Sequence, residues 1–436
     1  MDYKKFEELR KRIKDIEERD ACIEGTGSMQ DSSTVGLKEQ LGYYRTLKEN
    51  AQPEFIFLES RGKSVTSNVA VYKTETDFGT SFFKQKLYLD RIGRIDITGI
   101  PAFINDFNDS LGLECNAKVS LSESLFLDIE TTSLESGCGN CAYIIGIGFF
   151  EGGCFTVHQY FLRDFDEEHS LLSAVNEGIK RFKTVFTYNG KRFDLNILQS
   201  RYALNRIPFE FESKYHIDML GIYRKIFGHR KKKLKLTELE KELLGIERID
   251  DIPSQLIPEI YYQYLRTGYS ELLEHVFEHN AQDIASLAGV AVYLNNALLE
   301  PERHEEICSS LYYAMGKKAS KRKELSQAQH YFELVCKSDI EPATYAKICY
   351  ELSRVYVNNG AYDKATELWN NLFSFYPEMI GSAELKRMAI HFERYDKDLA
   401  KAFYFAIKAS EAKVNREEYS RRAARIFKKL LKNIRK

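Results

Sequence analysis

The segment Leu-Phe-Leu-Asp-Ile-Glu-Thr-Thr-Ser at 125–133 constrains this chain more than any other. In a β-strand successive side chains point to opposite faces, so Asp128 and Glu130 share one face and Leu127 and Ile129 the other. Two carboxylates side by side in an apolar strand repel each other, and burying either is costly. A divalent cation with a preference for hard oxygen ligands, Mg²⁺ or Mn²⁺, resolves both problems. The plainer alternative is a strand that ends at Asp128 with both acids in water, and for the pair alone that reading is the commoner.

The surroundings favour a folded α/β domain. Residues 143–150 (YIIGIGFF) and 155–161 read as further strands, 171–182 as a helix, and 185–188 as a buried strand ended by Asn189-Gly190. Helical spacing then dominates to residue 298, and strands with helices woven between them indicate an α/β fold. Two more acid-bearing elements lie in this frame. In TYNGKRFDLNIL (187–198) a helix is expected to begin near Phe193, which puts Asp194 in its first turn, where a carboxylate is electrostatically favoured. In EHNAQDIASLAGVAVYL (278–294) His279 and Asp283 are four apart and share a helical face. Singly, these are an ordinary helix-start acid and an ordinary surface pair. Asn189, Lys191 and Arg192 adjoin the second element. Lys191, Arg192 and the run HRKKKLK at 229–235, with Lys231, Lys232 and Lys233, are candidates to hold phosphate without sequence preference. A solvated loop explains the latter run equally well.

The last region is helical and repetitive. Ala328, Ala365 and Ala402 are each 37 residues from the next, and Tyr331, Leu368 and Phe405 follow them by three. Small residues let two helices approach and aromatic ones fill the space beside them. The pattern resembles tetratricopeptide repeats, whose usual period is about 34; an ordinary helical bundle is the alternative. The chain ends in a basic amphipathic helix with Arg421, Arg422, Arg425, Lys428, Lys429 and Lys432, most simply a solvated face. Residues 2–19 have helical spacing, 25–36 read as a linker, and 55–58 and 69–72 as short strands, with no assignable chemistry.

A net charge of −1 gives no global field for a polyanion, so a nucleic-acid partner would be held by local patches and bound metal. The eight cysteines are scattered, unlike a secreted disulfide framework. The charged amino terminus has no apolar run, and no stretch approaches the roughly 18 apolar residues of a membrane span. A cytoplasmic protein without membrane contact is expected.

A D-x-E strand, then N-x-x-x-F-D after a strand, then H-x-x-x-D on a late helix, resembles the DEDD superfamily of 3′–5′ exonucleases, which have a ribonuclease-H-like fold. LFLDIETTSL, TYNGKRFDLNIL, HIDML (216–220), KLKLTELEKELLG (233–245) and PEIYYQYLRTG (258–268) further resemble the YprB-type ribonuclease-H-like proteins, which add carboxy-terminal tetratricopeptide repeats. The resemblance implies a mixed-sheet exonuclease domain over 119–300 and an all-α helical repeat domain over 301–436, and residues 1–118 read as an α+β extension of unassigned role. It also implies that Asp128, Glu130, Asp194 and Asp283 bind two divalent ions, Mg²⁺ or Mn²⁺. His279 would be the general base in hydrolysis from a nucleic-acid 3′ end, and the repeats would hold a protein or peptide partner. One departure concerns the base: a histidine in this superfamily usually lies five residues before the last Asp, and here the separation is four. Imidazole still titrates near neutral pH and can accept a proton from water.

A catalytically weak binding scaffold and an endonuclease with the same acids are the competing functions. Asp218 in HIDML is expected to be structural rather than a site residue. Cys138-Gly139-Asn140-Cys141 lacks the further ligands of a zinc site. Gly146 and Gly148 sit within a strand, not in a dinucleotide fingerprint, and Trp369 is expected to be packing.

Overall fold

Strand β3 (Ser124–Thr131), β4 (Ala142–Glu151) and β5 (Cys154–Phe161) form an antiparallel meander. On the other side of β3 lie β6 (Thr184–Thr187) and β7 (Tyr215–Asp218), both parallel to it. Parallel neighbours need crossover connections. Helix α1 (Glu168–Ile179) lies between β5 and β6 in the chain, and α2 (Asp194–Leu204) between β6 and β7. A hairpin, β1 (Val69–Thr76) and β2 (Gly79–Tyr88), completes a seven-stranded sheet of order β1-β2-β5-β4-β3-β6-β7. This computed structural model describes residues 69–98, 100–105, 118–133, 139–227, 234–248, 251–268, 270, 272–337, 342–411 and 415–434. The expected helix at 2–19, linker at 25–36, strand at 55–58 and the Lys231, Lys232, Lys233 run lie outside them.

Residues 69–88 lie in the segment read as the extension 1–118, and β2 pairs antiparallel with β5 from Phe82↔Phe161 to Tyr88↔Phe155. The β5 edge would otherwise leave a row of unpaired backbone groups, and the hairpin covers it. The sequence reads a strand only at 69–72 and does not say which edge it joins.

Helix α5 (Leu273–Leu299) packs across β3, β4 and β5. Its apolar residues Ile284, Leu287 and Val290 join Phe126, Phe155 and Phe186 in one core. The glycines of β4 permit this approach. A Cβ on Gly146 would stand 2.3 Å from Asn280 Oδ1 and from Ile284 Cδ1, and one on Gly148 would be 2.4 Å from Ile284 Cγ2. Gly146→Ala is therefore expected to overpack the contact and lower the unfolding free energy by about 1–3 kcal/mol. The control is Gly221→Ala, in α3 (Met219–Phe227), where an added Cβ meets nothing and alanine favours the helix. Denaturant midpoints for the two variants should move in opposite directions; a neutral Gly146→Ala would disprove the tight approach. On the opposite face of the sheet Tyr160 reaches Gly178 of α1 in the same close manner.

The remaining helices pair in sequence: α6 (Glu305–Arg322) with α7 (Leu325–Lys337), α8 (Pro342–Asn358) with α9 (Tyr362–Phe375), and α10 (Ser382–Arg394) with α11 (Leu399–Ser410). Ala328, Ala365 and Ala402 are fully buried and stand at the fourth position of α7, α9 and α11, so the 37-residue spacing marks equivalent positions of successive pairs. Trp369 is buried in one core with Ala402, Phe392 and Phe405, while Ala328 and Ala365 belong to a second with Phe332. The basic end forms α12 (Arg416–Ile434), and Arg422, Arg425 and Lys429 all reach the buried carboxylate of Glu393 on α10. Part of its charge thus docks the last helix instead of facing water. Among the described residues no helix is long and apolar enough to cross a membrane.

Candidate active site

Three elements bring the predicted acids together. In β3, Asp128 lies opposite Gly146 and Glu130 opposite Ile144, with an irregularity after Glu130, so both acids face α5 as strand alternation requires. Asp194 is the first residue of α2. His279 and Asp283 project from α5 one turn apart, and their Nε2 and Oδ2 atoms are separated by 3.8 Å. A cavity of about 180 Å³ is lined by Asp128, Ile129, Glu130, Thr131, His279 and Asp283 on one side and by Ser254, Ile257 and Pro258 on the other. Helix α4 (Ile257–Thr267) holds the second wall: Tyr143 Oη donates to Ile257 O at 3.1 Å, and its ring stacks on Tyr261.

The charges in this site oppose one another. Burial first, then the charges of Asp283, Glu130 and Asp194, push the Asp128 carboxyl well above its usual range, against a hydrogen bond from Asn280. Glu130 is raised in the same way by burial and then by Asp283, Asp194 and Asp251, with Arg248 opposing. Asp194 is raised to about 7 by burial, with Asp218 and Asp283 adding to the effect and the backbone N–H groups of Asp194 and Ile129 working against it. Like-charged oxygen donors held together under this repulsion suit a hard divalent cation. Among the described residues no three His, Cys, Asp or Glu side chains already share a metal-binding geometry. Asp283, for one, is engaged by Arg248.

Several groups in the site are absent from the sequence reading. Asn280, fully buried on α5, donates to Asp128 Oδ2 at 2.8 Å and accepts from Gln159 Nε2 at 2.8 Å. Gly146 leaves room for this contact. Arg248 donates to Glu240, Asp251 and Asp283. Asp251 Oδ1 lies 2.7 Å from His279 Nδ1. That short contact takes the Nδ1 proton, so Arg248 Nη1 at 3.3 Å from the same nitrogen has no lone pair to donate to. A polar residue within the apolar stripe of α5 was the one available hint of Asn280; the loop bearing Arg248 and Asp251 had none.

Asn189 adopts a left-handed φ of 67°, and a Cβ on Gly190 would be 2.5 Å from that of Thr187, so the Asn-Gly turn is required before α2. Asp218 accepts from the Asn189 and Leu220 backbone N–H groups at 2.9 and 3.1 Å. It fixes this turn, the structural role expected of it. Lys191 and Arg192 are exposed on the turn, and Lys231, Lys232 and Lys233 are outside the described residues. Cys141 is buried, and its Sγ donates to Glu168 Oε1 at 3.1 Å within a network that includes Arg201 and Asn205 of the α2 region.

Comparison with known proteins agrees with this geometry. A family model described as RNase_H superfamily matches residues 125–295. The chain is also similar to "Uncharacterized protein YprB" of Bacillus subtilis (strain 168), with 29% identity over 287 residues, covering 64% of this chain and 67% of the relative. The antiparallel meander, the two parallel strands beside it and the acids on the central strand all lie within the matched span. Domains of this superfamily generally act on nucleic acid, usually with divalent metal ions. Residues 125–295 of this chain accordingly have the mixed-sheet α/β fold of the ribonuclease-H-like domains they are similar to.

Proposed function

We propose that this protein is a metal-dependent 3′–5′ exonuclease whose site is Asp128, Glu130, Asp194, His279 and Asp283. The observation that carries the reading is the convergence of four carboxylates from β3, α2 and α5: Asp128, Glu130 and Asp283 line one cavity, and Asp128, Glu130 and Asp194 are pushed upward by burial and by the neighbouring acids. When bound, two Mg²⁺ or Mn²⁺ ions would ionise the attacking water and stabilise the leaving oxygen. Asp128, Glu130, Asp194 and Asp283 are the residues that would hold them.

His279 has the arrangement of an oriented base. Asp251 fixes Nδ1 in its protonated form, which leaves Nε2 as an acceptor on the side of Asp283 and the cavity. The separation of four residues places it on the same helical face as Asp283. Ile257 and Pro258 offer an apolar wall opposite the acids, suited to a nucleoside, and Lys191 and Arg192 are exposed for backbone phosphate.

The test uses single-stranded and duplex DNA and RNA, labelled at either end, with Mg²⁺ or Mn²⁺ and with chelator. Stepwise release of 3′ nucleotides that chelator stops is the expected result. Internal fragments from both labels would make the enzyme an endonuclease. No cleavage of any substrate by folded protein would leave a binding scaffold as the better reading. His279→Gln is expected to slow cleavage by roughly 10²–10⁴-fold at neutral pH, the range of general-base catalysis. An unchanged rate in that variant would remove His279 from the chemistry.

A further inference from the structure

Arg248 is clamped from behind by a carboxylate that water does not reach. Its Nε donates to Glu240 Oε2 at 2.7 Å and its Nη2 donates to Glu240 Oε1. The side chains are 10% and 1% exposed. Glu240 begins the π-helical turn Glu240–Leu244, an irregularity frequent at functional sites. A buried pair of this kind adds little net stability, because desolvation offsets most of the attraction, and a packed apolar pair would hold the loop as well. What the pair does provide is a guanidinium of fixed orientation. Its remaining N–H groups turn towards the acids, where Nη2 meets Asp283 and Nη1 meets Asp251 at 3.1 Å.

We infer that Arg248 is a substrate ligand: it neutralises Asp283 in the metal-free protein, and once a divalent cation takes Asp283 its forward N–H groups bind the phosphate of the scissile linkage. The inference rests on the nuclease reading. Asp283 cannot serve both cations at full strength, so occupancy by metal frees the guanidinium. With Glu240 behind it, the pair is neutral as a unit and repels a metal ion less than a lone arginine would. It still presents N–H donors in the fork geometry that suits phosphate oxygens. A lysine here would offer a point charge without that fork.

The test is binding, read by fluorescence anisotropy of a labelled single-stranded oligonucleotide on the full chain with Ca²⁺ in place of Mg²⁺. Arg248→Gln is expected to weaken binding roughly ten-fold, the loss of one or two charge-assisted hydrogen bonds. The penalty for a neutral methylphosphonate at the 3′-terminal linkage should also shrink, which a merely structural role would not cause. Arg248→Lys should fall between the two and covers the case in which the glutamine variant does not fold. Variants that bind both oligonucleotides as the wild type does, while taking up Mn²⁺ more tightly by calorimetry, would overturn the inference and leave Arg248 as a counter-ion of Asp283 alone. If the wild type binds no oligonucleotide with any divalent ion, the nuclease reading itself fails and this inference with it.

Discussion

Asp128→Asn is expected to slow metal-dependent hydrolysis severely while leaving a folded protein that is more stable than the wild type without metal. Asp128 sits at the centre of the cluster, with Glu130 on its own strand and Asp194 and Asp283 opposing its charge from α2 and α5. Asparagine matches its shape and can still accept the hydrogen bond that Asn280 donates at 2.8 Å. The substitution removes one of the negative oxygen donors a divalent ion needs. A rate loss on the order of 10³-fold corresponds to about 4 kcal/mol of transition-state stabilisation. Relief of burial and repulsion should raise metal-free stability by about 1 kcal/mol or more. The measurements are cleavage rates with Mn²⁺ and thermal unfolding in chelator. Wild-type cleavage by this variant would show that the acids are not the reactive centre. A large loss of metal-free stability would show that Asp128 serves the fold instead.

The second large effect is a pH-dependent stabilisation by metal. Asp194 rises from 3.8 to about 7 in the folded protein, chiefly through burial, and Asp128 and Glu130 are raised as well. The folded chain therefore holds more protons than the unfolded chain between about pH 4 and pH 7. Metal-free stability should be fully present below the unfolded values and should fall as pH rises through that window. For Asp194 alone the loss is on the order of 4 kcal/mol. Metal binding needs the deprotonated carboxylates and reverses the loss. At a hundredfold excess over its dissociation constant a ligand adds about 2.7 kcal/mol. The melting temperature should thus rise strongly with Mn²⁺ at pH 8 and little at pH 5. Equal shifts at the two pH values, or none at pH 8, would rule out a cation bound by these acids.

The parts of the site that were legible in the sequence are those set by local periodicity. Alternation along β3 placed Asp128 and Glu130 on one face, the Asn189-Gly190 turn placed Asp194 at the start of α2, and a spacing of four placed His279 above Asp283. The three alanines likewise marked equivalent helix positions through their 37-residue spacing. The placements in the site depend on neighbours within about one turn or one strand, where backbone geometry alone relates the side chains, and the alanines are legible because the same helix pair recurs along the chain.

Tertiary structure decided the rest, because the partners are distant in the chain and no pattern links them. Asn280 lies 152 residues from the carboxylate it supports, and Arg248 lies 35 from Asp283. Of the hairpin at residues 69–88 only 69–72 reads as a strand in the sequence, and only packing assigns the second strand to the β5 edge. Residue type and local spacing determined which groups could do chemistry. Which of them meet, and at what charge, followed from the close approach of α5 to the sheet over Gly146 and Gly148, since long-range contact depends on shape that neighbouring residues do not encode.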